Sequence, residues 1–399
     1  MFRIQTLSRI SPKGLDLFPR EGYEVASEIP TPDAILVRST DMHGHELPGS
    51  LKAITRAGVG VNNIPVDRCT ARGIVVLNTP GANANSVKEL VIAGLLLSSR
   101  RILESVQWID TLKNKGEDVP KLVEAGKAAF EGPELRGKTL GVIGLGAIGV
   151  LVANDAVALG MSVMGFDPFI SVESAWGLSR EVRRAKVLDT LIAESDYITL
   201  HVPLLEETRG MINRTRFALM RKGVRLLNLA RGGLVNNADL RDAIRAGLVA
   251  CYVTDFPDAE LLEMERVIPI PHLGASTPEA EENCAVMAVR QTMAFLEHGN
   301  VKNSANFPEC EMGPVGTDSR LLIANRNIPN MVGQVTTQLA SDGINISDLL
   351  NRHRGDLAYN IIDVDGTPSA QTMERIRAIE GIIMARLLAS DGRRREAGD

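Results

Sequence analysis

The chain has 399 residues, with 44 Lys+Arg against 49 Asp+Glu, a formal charge of −5. That balance lacks the basic footprint of a nucleic-acid binder and offers no cationic face to anionic lipid. Apolar residues at 44% and charged residues at 23% are ordinary globular usage, which argues against disorder, collagen and disulfide scaffolds. With aromatics at only 4%, the core must be built from Val, Ile, Leu and Ala, as suits buried parallel strands. At roughly 150 residues per domain, the length points to two or three domains.

The N-terminus, MFRIQTLSRISPKG, lacks the apolar core of a signal peptide. From Phe2 to about Arg101, short apolar runs alternate with helical patterns. AILVRS, KAITRAG and GIVVLN are bounded by turn residues and predict strands; VDRCTARG between the last two predicts a helix stopped by Gly73. Alternation of this kind implies βαβ units and a parallel sheet. The loop TPGANAN follows, then a long apolar helix from Ser86. Cys69, Cys251, Cys284 and Cys310 form no CxxC pair, so buried free thiols in a reducing cytoplasm are expected, and no metal. His43 and His45 read as solvated, without a third ligand.

A second set of βαβ units starts near Lys138. TLGVIG, MSVMGFD, DYITLHVP, GVRLLNLA, ACYVTDF and VIPIPH predict strands, and GAIGVLVANDAVALG a helix. The most membrane-like stretch, Thr139 to Ala153, falls short of the roughly 20 apolar residues a span needs, so a soluble protein is expected. A helix from about Thr277 to His298 is long enough to cross back to the N-terminal unit. The bridge GNVKNSANFPECEMGPVGTD then reads as a linker. The remaining segments are SRLLIANRN, NMVGQVTTQLASDG, INISDLLNRHRG, LAYNIIDVDG, PSAQTMERIRAIEG and IIMARLLA. They give β-α-β-β-α-β, the ferredoxin-like order, before a tail GRRREAGD expected to fray. The expected fold class is α/β: two Rossmann-like, doubly wound domains plus this C-terminal module. The expected boundaries are 1–100 with 287–305 for substrate binding, 101–286 for the dinucleotide, a linker at 306–318, and 319–393 for the module.

Gly144-Leu145-Gly146-Ala147-Ile148-Gly149 is a GxGxxG that follows a strand and opens a helix, and Asp167 ends the next strand 18 positions after Gly149. Gly144 permits the tight turn, Gly146 lets backbone approach a pyrophosphate, and Gly149 allows close helix–strand contact, while the helix N-terminus supplies N–H groups. Asp167 would accept from ribose hydroxyls and repel a 2′-phosphate, with Pro168 and Phe169 rather than Arg behind it. NAD rather than NADP is expected.

Three successive strand ends carry Arg231, Glu260 and His272. Each alone could be structural; together they are candidates for chemistry at the nicotinamide. Arg38-Ser39 ends one strand of the first unit, Arg56 with Gly58-Val59-Gly60 another, and Asn83 follows a third. Two arginines beside a Gly-rich turn with free N–H groups could hold a phosphate.

The sequences RGGLVN, DFPDAE and PHLGAST, with GLGAIG and FDP before them, resemble the D-isomer-specific 2-hydroxyacid dehydrogenases over nearly the whole chain. The resemblance implies that Arg231 grips the substrate carboxylate, His272 takes the hydroxyl proton, and Glu260 holds the imidazole. It implies an NAD site lined also by His201, Val202, Pro203, Thr208, Ala230, Asp255 and Gly274, with Asp255 near the carboxamide. The C-terminal module resembles an ACT regulatory domain. That favours D-3-phosphoglycerate as substrate, oxidised to 3-phosphohydroxypyruvate at the first step of L-serine biosynthesis. It also implies a homodimer or homotetramer, and L-serine as an effector at Asn325, Asn327 and Asn345. The alternatives are a hydroxypyruvate or glyoxylate reductase and an NAD-sensing corepressor.

Overall fold

The computed structural model describes residues 1–389; the tail GRRREAGD and the last expected residues of the C-terminal module lie outside the described residues. The chain divides into two compact units, one from Met1 to Ala82 and again from Glu281 onward, the other from Asn83 to Ala280.

The first unit opens with five parallel strands: β1 (Phe2–Leu7), β2 (Tyr23–Ala26), β3 (Ala34–Val37), β4 (Ala53–Arg56) and β5 (Val75–Leu77), in the order β2-β1-β3-β4-β5. All four residues of β3 are buried, because the sheet is covered on both faces; this is why the strand reads as an unbroken apolar run. The helix Pro278–His298 presents Cys284, Ala285, Ala288, Val289, Phe295 and Leu296 to that core at helical spacing.

Later strands of the second unit are β6 (Thr139–Ile143), β7 (Ser162–Phe166), β8 (Arg183–Arg184), β9 (Tyr197–Leu200), β10 (Val224–Asn228), β11 (Val249–Thr254) and β12 (Val267–Pro269). Their order, β12-β11-β10-β9-β6-β7-β8, is that of a Rossmann sheet with one added edge strand. The helix Ala84–Arg100 lies against this sheet. Gly94 lets it close in: a Cβ there would stand 3.0 Å from Leu227 and 3.3 Å from Val253. The helices Ile102–Asp110 and Val119–Gly126 bury no residue.

The C-terminal module, which belongs to the first unit, has strands β13 (Ser319–Arg326), β14 (Asn345–Arg354), β15 (Leu357–Asp365) and β16 (Ile382–Ala389), antiparallel in the order β14-β15-β13-β16. The helices Met331–Ser341 and Ala370–Arg377 complete the β-α-β-β-α-β order. Leu321 and Ile323 face Val335, Leu339 and Ile376. The alternate residues Leu322 and Ala324 join the core that holds Ile4, Leu36 and Phe295. The segment before β13 contributes to the same core, with Phe307 and Cys310 buried and Val301 bridged to Cys310. Orphan carbonyls at the end of helix Pro278–His298 are taken up by this module. Arg320 Nη1 donates to His298 at 2.9 Å, Tyr359 Oη to Gly299 at 3.0 Å, and Arg386 Nη2 to Leu296.

Overall, the α/β class with parallel sheets and a separate antiparallel sheet is as the sequence predicts. All four cysteines are buried and unpaired. Among the described residues no helix is long and apolar enough to cross a membrane.

Candidate active site

In the second unit, β6 ends in the glycine turn. Gly144 takes φ 94°, where a Cβ would stand 2.6 Å from the His201 carbonyl oxygen. A Cβ on Gly149 would run into the carbonyl oxygen of Gly144, whereas one on Gly146 would meet nothing within 4 Å. The helix Ala147–Ala158 begins at Gly146 with no side-chain cap, so its first N–H groups remain for a ligand. Asp167 sits at the mouth of the turn; its Oδ2 accepts from the Leu145 N–H and its Oδ1 from the Phe169 N–H, both at 2.8 Å. Thr208 Oγ1 braces the loop after β9, donating to the Pro203 carbonyl at 2.7 Å and accepting from the Leu205 N–H. His201 Nδ1 is buried without a partner, and burial pushes its pKa down to about 4, so the ring is neutral.

At the end of β10, Asn228 pins the RGG turn. Its amide donates to the Arg231 carbonyl at 2.9 Å and to Tyr252 Oη at 3.2 Å. Arg231 is exposed, with one Nη on the Ala230 carbonyl and the rest of its fork free for an anion. Asp255, just past β11, is buried with no hydrogen-bond partner for either carboxylate oxygen. Burial raises its pKa, against the opposing charges of His272 and Arg231. Gly274 closes over it: a Cβ there would lie 3.6 Å from Asp255 Oδ2. His272 is exposed and lies 4.6 Å from the Phe256 ring, centroid to centroid.

No hydrogen bond or ion pair joins Glu260 to His272 among the described residues. Glu260 is in the short helix Ala259–Leu262, its charged partner is Arg241 at 3.8 Å, and it lines a cleft with Arg209, Asn236 and Tyr252. The acid that His272 does influence is Asp255.

In the first unit, Arg38 and Arg56 end neighbouring strands, with Val37 opposite Arg56 in register. Arg56 Nε donates to the Arg38 carbonyl at 2.9 Å and its Nη1 to the Gly60 carbonyl, which fixes the Gly58-Val59-Gly60 turn. Ser39 is exposed, and its N–H meets Ser8 Oγ at 3.3 Å. The same oxygen faces the N–H of Thr40 at 3.2 Å, with Ser8 itself at φ 119°. Ser8 and Asn228 are supporting residues that sequence reasoning missed. A positive-φ serine and a lone strand-end asparagine carry no motif. Asn83 falls in the second unit, its Oδ1 buried without a partner.

The three asparagines of the C-terminal module do not converge within one chain. Asn325 is buried, accepting from Asn360 Nδ2 at 2.7 Å. Asn327 donates to the Gly355 carbonyl and Asn345 to Asp365. Asn325 pairs with Ala358 and Asn345 with Asp365 in the register of β15, which separates them by seven residues, roughly 24 Å.

Residues 92–274 match the profile described as D-isomer specific 2-hydroxyacid dehydrogenase, NAD binding domain. The chain belongs to the D-isomer specific 2-hydroxyacid dehydrogenase family. It is 38% identical over 323 residues to the D-3-phosphoglycerate dehydrogenase of Archaeoglobus fulgidus, covering 76% of this chain and 59% of that one. It is 37% identical over 302 residues to the hydroxypyruvate reductase of Thermotoga maritima, covering 70% of this chain and 93% of that one. Among solved structures, the NAD+-bound 3-phosphoglycerate dehydrogenase of Entamoeba histolytica aligns with TM-score 0.57 and 25% identity over 76% of this chain and 98% of that one. The chain spans 59%, 63% and 59% of the length of three similar D-3-phosphoglycerate dehydrogenases. The cradle suits NAD: an uncapped helix N-terminus, an open Gly146, and the unpartnered Asp255 carboxylate and His201 Nδ1 all await polar groups.

Proposed function

We propose that the protein oxidises D-3-phosphoglycerate to 3-phosphohydroxypyruvate with NAD, as in the first step of L-serine biosynthesis. Bound NAD supplies the hydride acceptor. The observation that carries the choice of substrate is the pair of guanidiniums, Arg38 and Arg56, at adjacent strand ends of the first unit, where a phosphate finds the N–H groups not already spent on Glu281 and on the Arg38 and Gly60 carbonyls. Arg231 takes the substrate carboxylate, and His272 accepts the hydroxyl proton as the carbinol is oxidised. Asp167, with no cation at Pro168 or Phe169, favours the free ribose of NAD over the phosphorylated one. Absorbance at 340 nm with D-3-phosphoglycerate and NAD tests the proposal; no NADH formation would refute it.

A second reading, reduction of hydroxypyruvate or glyoxylate, is favoured by one observation: Arg38 is already paired with Glu281, which lowers the net charge offered to phosphate. Comparing D-3-phosphoglycerate with D-glycerate separates the two.

The C-terminal module acts in this proposal as an ACT-type sensor of L-serine between two copies of the chain. An effector touching both Asn325 and Asn345 needs a second copy, given their separation along β15. The exposed Ile102, Leu103, Val106 and Ile109 support a homo-oligomer, since such a patch is costly in water. Serine that changed neither KM nor kcat would remove the sensor role.

A further inference from the structure

Glu281 stands in the first turn of helix Pro278–His298, and its Oε1 lies 2.6 Å from Arg38 Nη2. The pair faces solvent, with side chains 39% and 43% exposed. Arg56, one strand over, spends its Nε and Nη1 on the Arg38 and Gly60 carbonyls. Burial lowers the Arg56 pKa, and the charge of Arg38 pushes in the same direction, so two cations crowd here. Among the described residues Glu281 is the carboxylate that forms an ion pair with this couple.

We propose that Glu281 is a counter-ion gate on the anion end of the substrate site. It holds Arg38 while no anion is bound, and a phosphorylated substrate must take that guanidinium from it. The inference rests on the reading of the β3 and β4 ends as the phosphate-binding site. Three pieces of physical chemistry support it. Two adjacent guanidiniums without a counter-ion repel each other, so a carboxylate relieves the empty site. The same carboxylate then repels an arriving phosphate dianion across a few ångströms. A substrate ending in a neutral hydroxyl leaves the Arg38–Glu281 pair closed and meets no such repulsion. Glu281 therefore sets the ratio of affinities for phosphorylated and unphosphorylated 2-hydroxy acids. It is a specificity-determining residue acting through Arg38, not a catalytic one.

The test is Glu281→Gln, which keeps the length of the side chain and removes its charge. A half-exposed pair of this kind is screened, so the effect is about two- to fivefold. The ratio of kcat/KM for D-3-phosphoglycerate over D-glycerate should rise by that factor, through KM. The Kd of inorganic phosphate, measured by calorimetry, should fall by a similar factor, and the difference from the parent protein should shrink in high salt. Glu282→Gln is the control: Glu282 pairs with Lys13 at 2.5 Å, so it changes the same net charge without touching Arg38. The proposal is overturned if KM for the phosphorylated substrate rises, which would make Glu281 an aligner of Arg38. It is also overturned if both substrates respond equally, if phosphate affinity does not change, or if Glu282→Gln has the same effect. Should the protein oxidise neither substrate, the proposed function fails, while phosphate binding still decides the role of Glu281.

Discussion

Arg320 and Asp363 are direct register partners across β13 and β15, and their side chains close a buried bidentate pair, Nε to Oδ1 at 2.6 Å and Nη2 to Oδ2 at 2.8 Å. The same guanidinium donates to the His298, Gly313 and Pro314 carbonyls. One residue thus ties the end of helix Pro278–His298 to the sheet of the C-terminal module. Breaking a buried pair by removing one partner leaves an uncompensated charge, at about 3–5 kcal/mol, while replacing both with apolar residues is often near neutral. Arg320→Met should therefore destabilise the first unit by about that amount. Arg320→Met with Asp363→Leu should recover part of the loss, short of the His298 and Pro314 carbonyls that lose their Arg320 donor, while Gly313 keeps the Asn300 amide at 3.2 Å. Urea unfolding of the two variants checks the order; equal losses would mean that the backbone contacts dominate.

Asp255 gives a pH prediction with a definite sign. Its folded pKa is raised by burial above the ordinary 3.8. Between those two values the folded state keeps a proton that the unfolded state has lost, so stability falls as pH rises through the window, and the penalty is complete above it. Asp255→Asn removes the buried charge and should stabilise the protein at neutral pH. The gain should vanish below about pH 3.8. The same variant should bind NAD more weakly, because the unpartnered oxygens are what the cofactor would satisfy. Thermal melts across pH, beside NADH titration, read both effects; a variant less stable at neutral pH would contradict the sign.

The strands were legible because burial wrote them as short apolar runs: AILV of β3 and TLGVI of β6 are nearly wholly buried. β1 was hidden, because Arg3 and Gln5 alternate with Phe2 and Ile4 and leave FRIQTL without an unbroken apolar run. The glycine turn was legible because GxGxxG has a steric cause at each position. The relation between Glu260 and Arg241 was not, since spacing places an acid five residues after Asp255 without fixing where its side chain turns. The amide chain joining Asn325 to Asn360 was equally hidden. It depends on cross-strand register, which single asparagines do not announce.

Gly146 and Gly149 should respond differently to the same methyl group. In Gly149→Ala the Cβ collides with the Gly144 carbonyl oxygen, a backbone atom that cannot move without opening the turn. That variant should lose both NAD binding and stability. In Gly146→Ala the Cβ meets no protein atom within 4 Å, so the fold should be kept, yet the methyl occupies the space for the pyrophosphate. NAD affinity should then fall about tenfold or more with an unchanged Tm. Full affinity in Gly146→Ala would place the phosphates elsewhere.

His272 and Glu260 separate the chemistry from its support. A proton acceptor contributes about 10²–10⁴-fold, so His272→Ala should lower kcat by that range while the Kd for NADH is kept. Glu260 has its ion pair with Arg241, and no ion pair joins it to His272 among the described residues. Glu260→Gln should therefore cost at least tenfold less in kcat than His272→Ala. Arg241→Ala is the complementary variant: it frees Glu260 without removing it, and should leave kcat within about twofold if the carboxylate is not recruited to the imidazole. Steady-state rates of the three variants decide the matter. A Glu260→Gln loss equal to that of His272→Ala would show that the acid reaches the imidazole during turnover, through a movement of the helix Ala259–Leu262.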